Sequence, residues 1–162
     1  MDDRTLSIEI PFKRNVADLE FVSDVLLLMS VSLHQSSELE NIRCNRVTLR
    51  AVYSDMLDVS ESRFFLPSDG AIGIRDAAVY LLYRFPRHLI RMVSMTLSYS
   101  EKSSVQVTLG FDEVSIPPER RLEESLEELC RRYRIDRKDI LGKDLGYTVE
   151  RVQRAHIRET GC

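Results

Sequence analysis

Four stretches of the chain alternate apolar with polar residues, the two-residue period of a strand with one buried face. Leu6, Ile8, Ile10 and Phe12 alternate with Ser7, Glu9 and Pro11, and Val47, Leu49, Ala51 and Tyr53 with Thr48, Arg50 and Val52. Val93, Met95, Leu97 and Tyr99 form the third set, and Val105, Val107, Leu109 and Phe111 the fourth. The polar run Glu101–Ser104 joins these last two and predicts a hairpin. Pro11 places the end, or an edge, of the first strand, because proline cannot donate to a ladder.

Between the strands the period changes. Val16, Leu19, Val22, Leu26, Met29 and Leu33 recur at helical spacing, behind a candidate N-cap at Asn15. Phe21, Val25, Leu27 and Leu28 widen that stripe beyond a surface helix's usual width, which predicts a central helix packed on a sheet and covered on another side. Ser54–Ser62 is polar and acidic and reads as a loop, and Pro67-Ser68-Asp69-Gly70 as a turn. A second helix is expected over Ile74–Phe85, stopped by Pro86. After Pro117-Pro118, Leu122, Leu126, Leu129 and Tyr133 form one helical stripe, opposite Glu123, Glu124, Glu127 and Glu128. Two shorter helices follow, over Arg137–Leu145 and Thr148–Arg158.

The expected fold is α+β: a four-stranded, mainly antiparallel sheet with two helices packed on one face, then a C-terminal helical region. The division is an α+β domain over residues 1–116 and a helical extension over 117–162, packed on the same domain.

Composition narrows the function classes. The 162 residues carry a formal net charge of −3, with a pI near 5.7. Nucleic-acid affinity comes largely from a basic surface, so this balance argues against strong non-specific binding but leaves room for a local basic face. Cys44, Cys130 and Cys162 are scattered, with no CxxC pair, which argues against a disulfide framework or a cysteine-held zinc and for a reducing, cytoplasmic compartment. The longest apolar run, Val25–Met29, is too short for a membrane span.

Candidate chemistry is sparse. The polar sheet face holds Thr48, Arg50, Ser94, Thr96, Ser98, Gln106 and Thr108 and no aromatic on which a base could stack. It reads as solvated, or as covered by the C-terminal helices. The stretch 129–140 resembles a helix-turn-helix: Cys130 is the small residue of the first helix, Ile135 follows the turn and Ile140 is buried in the second. Arg134 stands where that motif prefers glycine, and Lys143 where it prefers an apolar residue. The resemblance implies nucleic-acid or partner contacts by Arg131, Arg137, Lys138, Arg151 and Arg154, with Arg158 beside them. Arg84, Arg87 and Arg91, near His88, form a second basic cluster able to hold an anion, at a helix end where cations are favourable anyway. Asp55, Asp58 and Glu61 lack calcium-loop spacing. His34, His88 and His156 read as surface or helix-end residues.

There is no nucleophile elbow, phosphate-cradling glycine loop or dinucleotide fingerprint. No catalytic, cofactor-binding or metal-binding residue is therefore assigned, and no cofactor is expected. The leading expectation is a non-catalytic interaction or regulatory module, a subunit or adaptor that meets a protein partner or itself. A nucleic-acid-binding regulator that reads through its C-terminal region is the alternative from a second class. A small enzyme with a dispersed site is the third.

Overall fold

Val47, Leu49, Ala51 and Tyr53 are fully buried, as are Val93, Met95 and Leu97, and together they form the floor on which the helices lie. The structure, a computed structural model, describes residues 4–101, 117–140 and 145–160. The elements run β1 (Leu6–Val16), α1 (Leu19–Leu39), β2 (Arg46–Tyr53), β3 (Asp58–Phe64), α2 (Gly70–Leu82), β4 (Ile90–Ser98), α3 (Pro118–Tyr133), α4 (Arg137–Ile140) and α5 (Leu145–Thr160). The sheet order is β1-β4-β2-β3, and every neighbouring pair is antiparallel. β1 and β2 thus run parallel with β4 between them, and β3 and β4 run parallel with β2 between them. α1 joins the first pair and α2 the second, so two split β-α-β units interleave. This is the expected α+β class, with a four-stranded antiparallel sheet and helices on one face.

The excess apolar width of α1 has a direct cause. Val22, Val25, Leu26, Leu28 and Met29 are completely buried, because α1 lies against β1 and α2 and also supports α4 and α5 on its outer side. Ser30 is buried too, and its hydroxyl donates to the Leu26 carbonyl at 2.7 Å, so no polar atom is stranded. The helix starts later than expected. Its cap is Asp18, whose carboxylate accepts from the Glu20 and Phe21 amides at 3.0 and 3.4 Å. Asn15 and Val16 belong instead to β1, which shifts register beyond Pro11 and pairs Val16 with Ile90.

The loop expected at Ser54–Ser62 is mostly strand. Only residues 54–57 turn, with Met56 at a φ of 72° and the Asp55 carboxylate accepting from the Leu57 amide at 3.1 Å. β3 then pairs with β2 from Asp58↔Val52 to Phe64↔Arg46. It is an edge strand exposed on both faces, so Asp58, Ser60, Glu61 and Ser62 leave no apolar alternation to read. The expected strand at 105–111 lies outside the described residues, and β3 supplies the fourth strand of the sheet.

The turn at Pro67–Gly70 forms as a 3₁₀ turn over Pro67–Asp69, and Gly70 takes a φ of 62° that a side chain would strain. α2 starts there, before the expected Ile74, because Ala71 and Ile72 are also buried. It stops at Leu82, and the Arg84 and Phe85 amides close tighter i→i−3 bonds, since Pro86 disfavours a helical Phe85.

α3 packs on α2, α4 on α1, and α5 on α1 and β1, all on the helical side. The C-terminal helices therefore leave the opposite sheet face open. The helix expected over Arg137–Leu145 is described only as Arg137–Ile140, while the last helix is longer than expected. Among the described residues, no helix is long and apolar enough to cross a membrane.

The central role of α1 gives a direct test. Leu26→Ala should cost about 2–5 kcal/mol in urea unfolding. Leu39→Ala, at the 78% exposed end of the same helix, should stay within about 0.5 kcal/mol of wild type.

Candidate nucleic-acid interface

The open face of the sheet is set by register. Ser7, Thr96, Thr48 and Ser62 align in one row across all four strands, and Glu9, Ser94, Arg50 and Ser60 in the next. Within the first row, Ser7 and Thr96 share a hydrogen bond of 2.7 Å, and so do Thr48 and Ser62. Arg50 lies between two carboxylates. Its Nε and Nη2 donate to Asp58 at 2.9 and 2.8 Å, and Glu9 lies 4.0 Å from Nη1. This pairing holds the Asp58 carboxyl below the usual carboxylate range. Arg46 donates to the Ser98 hydroxyl at 3.1 Å. The result is a broad surface of short hydroxyls with two guanidinium groups.

The C-terminal helices are fastened to α1 by a row one turn apart. His156 of α5 stacks on Phe21 at 4.6 Å and its Nε2 lies 3.3 Å from Asp18. Tyr133 of α3 meets the same Phe21 edge-on at 6.3 Å and donates its hydroxyl to Asp24 at 2.7 Å. Arg132 also reaches Asp24, at 3.2 Å. Burial raises the Asp24 carboxyl above its ordinary range, against the opposing pull of Tyr133 and Arg132. Burial, and then the Asp24 hydrogen bond, push the Tyr133 phenol well up. His156 is thus a packing residue and not a free helix-end group. Gln153, almost fully buried, seals α5 to the edge of β1: its amide accepts from the Lys13 N–H at 3.2 Å and donates to the Arg14 carbonyl at 2.8 Å.

This docking gathers positive charge. Arg132 and Arg134 from the end of α3, with Arg151, Arg154 and Arg158 from α5, line an open cleft of about 660 Å³. Arg154 and Arg158 also line a second cleft of about 410 Å³, whose other wall is Lys13, Arg14 and Glu150. Of the residues expected from the helix-turn-helix resemblance, Arg151 and Arg154 meet here, together with Arg158. Arg137 is tied to Glu123 of α3, while Lys138 and Arg131 are exposed and line neither cleft. Ile135 follows the turn after α3 and Ile140 is buried in α4, the places the resemblance gives them, while Cys130 is half-buried.

Arg132 and Arg134 were missed because their place depends on the turn. Arg134 ends α3 at φ 57° and ψ 50°, the left-handed conformation usually given to glycine, and the Ile135 amide closes back on the Cys130 carbonyl at 3.1 Å. An arginine at that position was the available signal.

The other basic cluster does not converge. Arg84 lies 5.5 Å from the centre of the Tyr80 ring, which Arg63 covers at 3.7 Å, and Arg87 lies 5.6 Å from Tyr83. Arg91 instead donates towards the Met56 sulfur, at 3.2 Å.

Two variants test this geometry. Tyr133→Phe should cost about 1.5–3 kcal/mol, the range for a hydrogen bond to a charged group. The folded-state Tyr133 pKa lies above its unfolded value near 10, so the phenol's contribution is complete below pH 10 and is lost as the pH rises further. Unfolding followed from pH 8 to 11 should therefore fall less steeply in the variant. Arg134→Gly should raise the urea midpoint, by about 0.5–1 kcal/mol in stability, as the left-handed strain is relieved.

A family model described as the impB/mucB/samB family C-terminal domain matches residues 3–109. Among solved structures, the little finger domain of a PolIV, solved in complex with the beta-clamp processivity factor, is similar at 10% identity and a TM-score of 0.46, over 67% of this chain and 100% of that one. DinB from Sulfolobus solfataricus is similar at 16% identity and a TM-score of 0.46, over 59% of this chain and 28% of that one. An insertion ternary complex of Dbh DNA polymerase gives 17% identity and a TM-score of 0.44, over 60% and 28%. The chain thus spans little more than a quarter of those two polymerase chains. No curated protein matches it. The family match overturns the leading expectation of a non-catalytic adaptor or regulatory module and favours the nucleic-acid alternative. The adaptor reading rested mainly on missing motifs, and a missing motif carries little weight against a matched family model. With well over half of its length under one family model, the chain belongs to the impB/mucB/samB family, as a carrier of its C-terminal domain.

Proposed function

We propose that this chain is the DNA-binding domain of a DNA polymerase and that its open sheet face rests on the DNA backbone. The family match carries the reading, because residues 3–109 contain β1 to β4 and so the whole described sheet. The geometry supports it. One face of the sheet is spent on the core, while the other keeps rows of serine and threonine hydroxyls, which contact phosphate and sugar oxygens without reading sequence. Arg46 adds positive charge on the same face, while Arg50 is already balanced by Asp58 and Glu9. A cytoplasmic location belongs to the same proposal, and the free thiol of Cys130 fits a reducing compartment.

Fluorescence anisotropy with a 20-base-pair duplex tests the reading. Binding should be detectable at low salt, tighter than the roughly 10⁻⁴–10⁻⁶ M typical of non-specific binders at physiological salt, and should weaken as salt rises. Ser94→Glu places a carboxylate at the centre of the open face and should weaken binding at least about tenfold, with no change in melting temperature. A wild-type domain that binds no duplex at low salt refutes the proposal.

A further inference from the structure

We infer that the arginine-lined clefts flanking α5 form a second nucleic-acid contact, a track for the phosphodiester backbone whose arginines, Arg14 excepted, lie beyond the family-matched segment. Five arginines line the larger cleft, and their carboxylate partners do not balance them. Arg132 is held by Asp24 and Glu128, at 3.2 and 3.3 Å, and Arg151 by Asp139 at 3.4 Å. Arg134, Arg154 and Arg158 have no ion-pair partner among the described residues, so three guanidinium groups face one cleft with no internal anion.

Their arrangement is linear. Arg151, Arg154 and Arg158 recur at spacings of three and four and form one stripe along α5. Tyr147 stands one turn earlier on the same stripe, 59% exposed, with a hydroxyl able to meet a phosphate oxygen. From Tyr147 to Arg158 the stripe rises about 16 Å, the rise of roughly five nucleotides of one B-form strand. The second cleft extends the band around α5 to Lys13 and Arg14, with Lys13 balanced by Glu150 at 3.1 Å. A run of evenly spaced negative charges suits a band of this length better than a single small anion does.

Arg134 adds an independent argument. Its left-handed backbone is one that glycine would adopt without strain, yet an arginine occupies it and faces the cleft. Strain retained at a residue that lines a charged cleft is a mark of function.

The inference deepens the reading above in taking DNA as the ligand, but it rests on different residues, so the two fail separately. The test uses the whole chain and the same duplex. R154Q/R158Q should weaken binding tenfold or more and should flatten the plot of log K against log salt by about 1.5–2 units, the counterion release of two phosphate contacts. R154K/R158K, which keeps the charge, should retain the wild-type slope, and matched melting temperatures show that both variants fold. Wild-type affinity and slope in R154Q/R158Q overturn the inference, whatever Ser94→Glu does. Loss in R154Q/R158Q with wild-type binding in Ser94→Glu leaves this contact standing and sinks the sheet-face reading. Polyglutamate that displaces the duplex as well as unlabelled DNA of equal charge also overturns the inference, since an acidic polypeptide would then be the ligand. A wild-type chain that binds no duplex overturns both.

Discussion

Everything in this fold is built around a helix that has no free side. α1 gives one flank to the sheet, one to α2 and its outer side to the C-terminal helices, which is why Val22, Val25, Leu26, Leu28 and Met29 lose all contact with water. Asp18, Phe21 and Asp24 then act as moorings for residues more than 100 positions further along the chain. Because those helices are moored to the far side of α1, they cannot lie across the sheet. The same packing therefore fixes two surfaces at once: it keeps the C-terminal helices off the hydroxyl face and brings the arginines of α3 and α5 together.

The net charge of −3 conceals this separation. The acidic residues of α3, Glu123, Glu124, Glu127 and Glu128, lie on its outer face, whereas Arg132 and Arg134 leave its C-terminal end towards α5. Charge that cancels in the composition does not cancel in space, and a cleft with walls of one sign focuses its field on an approaching anion. A pI near 5.7 was therefore weak evidence against nucleic acid.

Sequence patterning revealed β1, β2 and β4 because each has one wet and one dry face. The width of the α1 stripe announced burial on several sides. β3 stayed hidden for the complementary reason: both of its faces meet solvent, so period two leaves no mark. Boundaries slipped where tertiary bonds overrode local signals, as when Asp18 displaced Asn15 as the cap. The site was half legible. Arg151 and Arg154 are contacts that the helix-turn-helix resemblance implies, but Arg132, Arg134, Lys13 and Arg14 join them only through the left-handed turn and the Gln153 contact, and neither has a periodic signature.

The Gln153 amide has a consequence for how the domain behaves in company. An unpaired strand edge is a template on which a neighbouring chain can add a strand, the usual first step towards aggregates. By occupying the Lys13 N–H and the Arg14 carbonyl, Gln153 removes one stretch of that template from β1. At the opposite margin, Asp58, Glu61 and Arg63 make β3 a poor host for an apolar strand. One border is plugged at one stretch by an amide and the other is guarded by charge, and both make strand addition by a neighbouring copy less favourable.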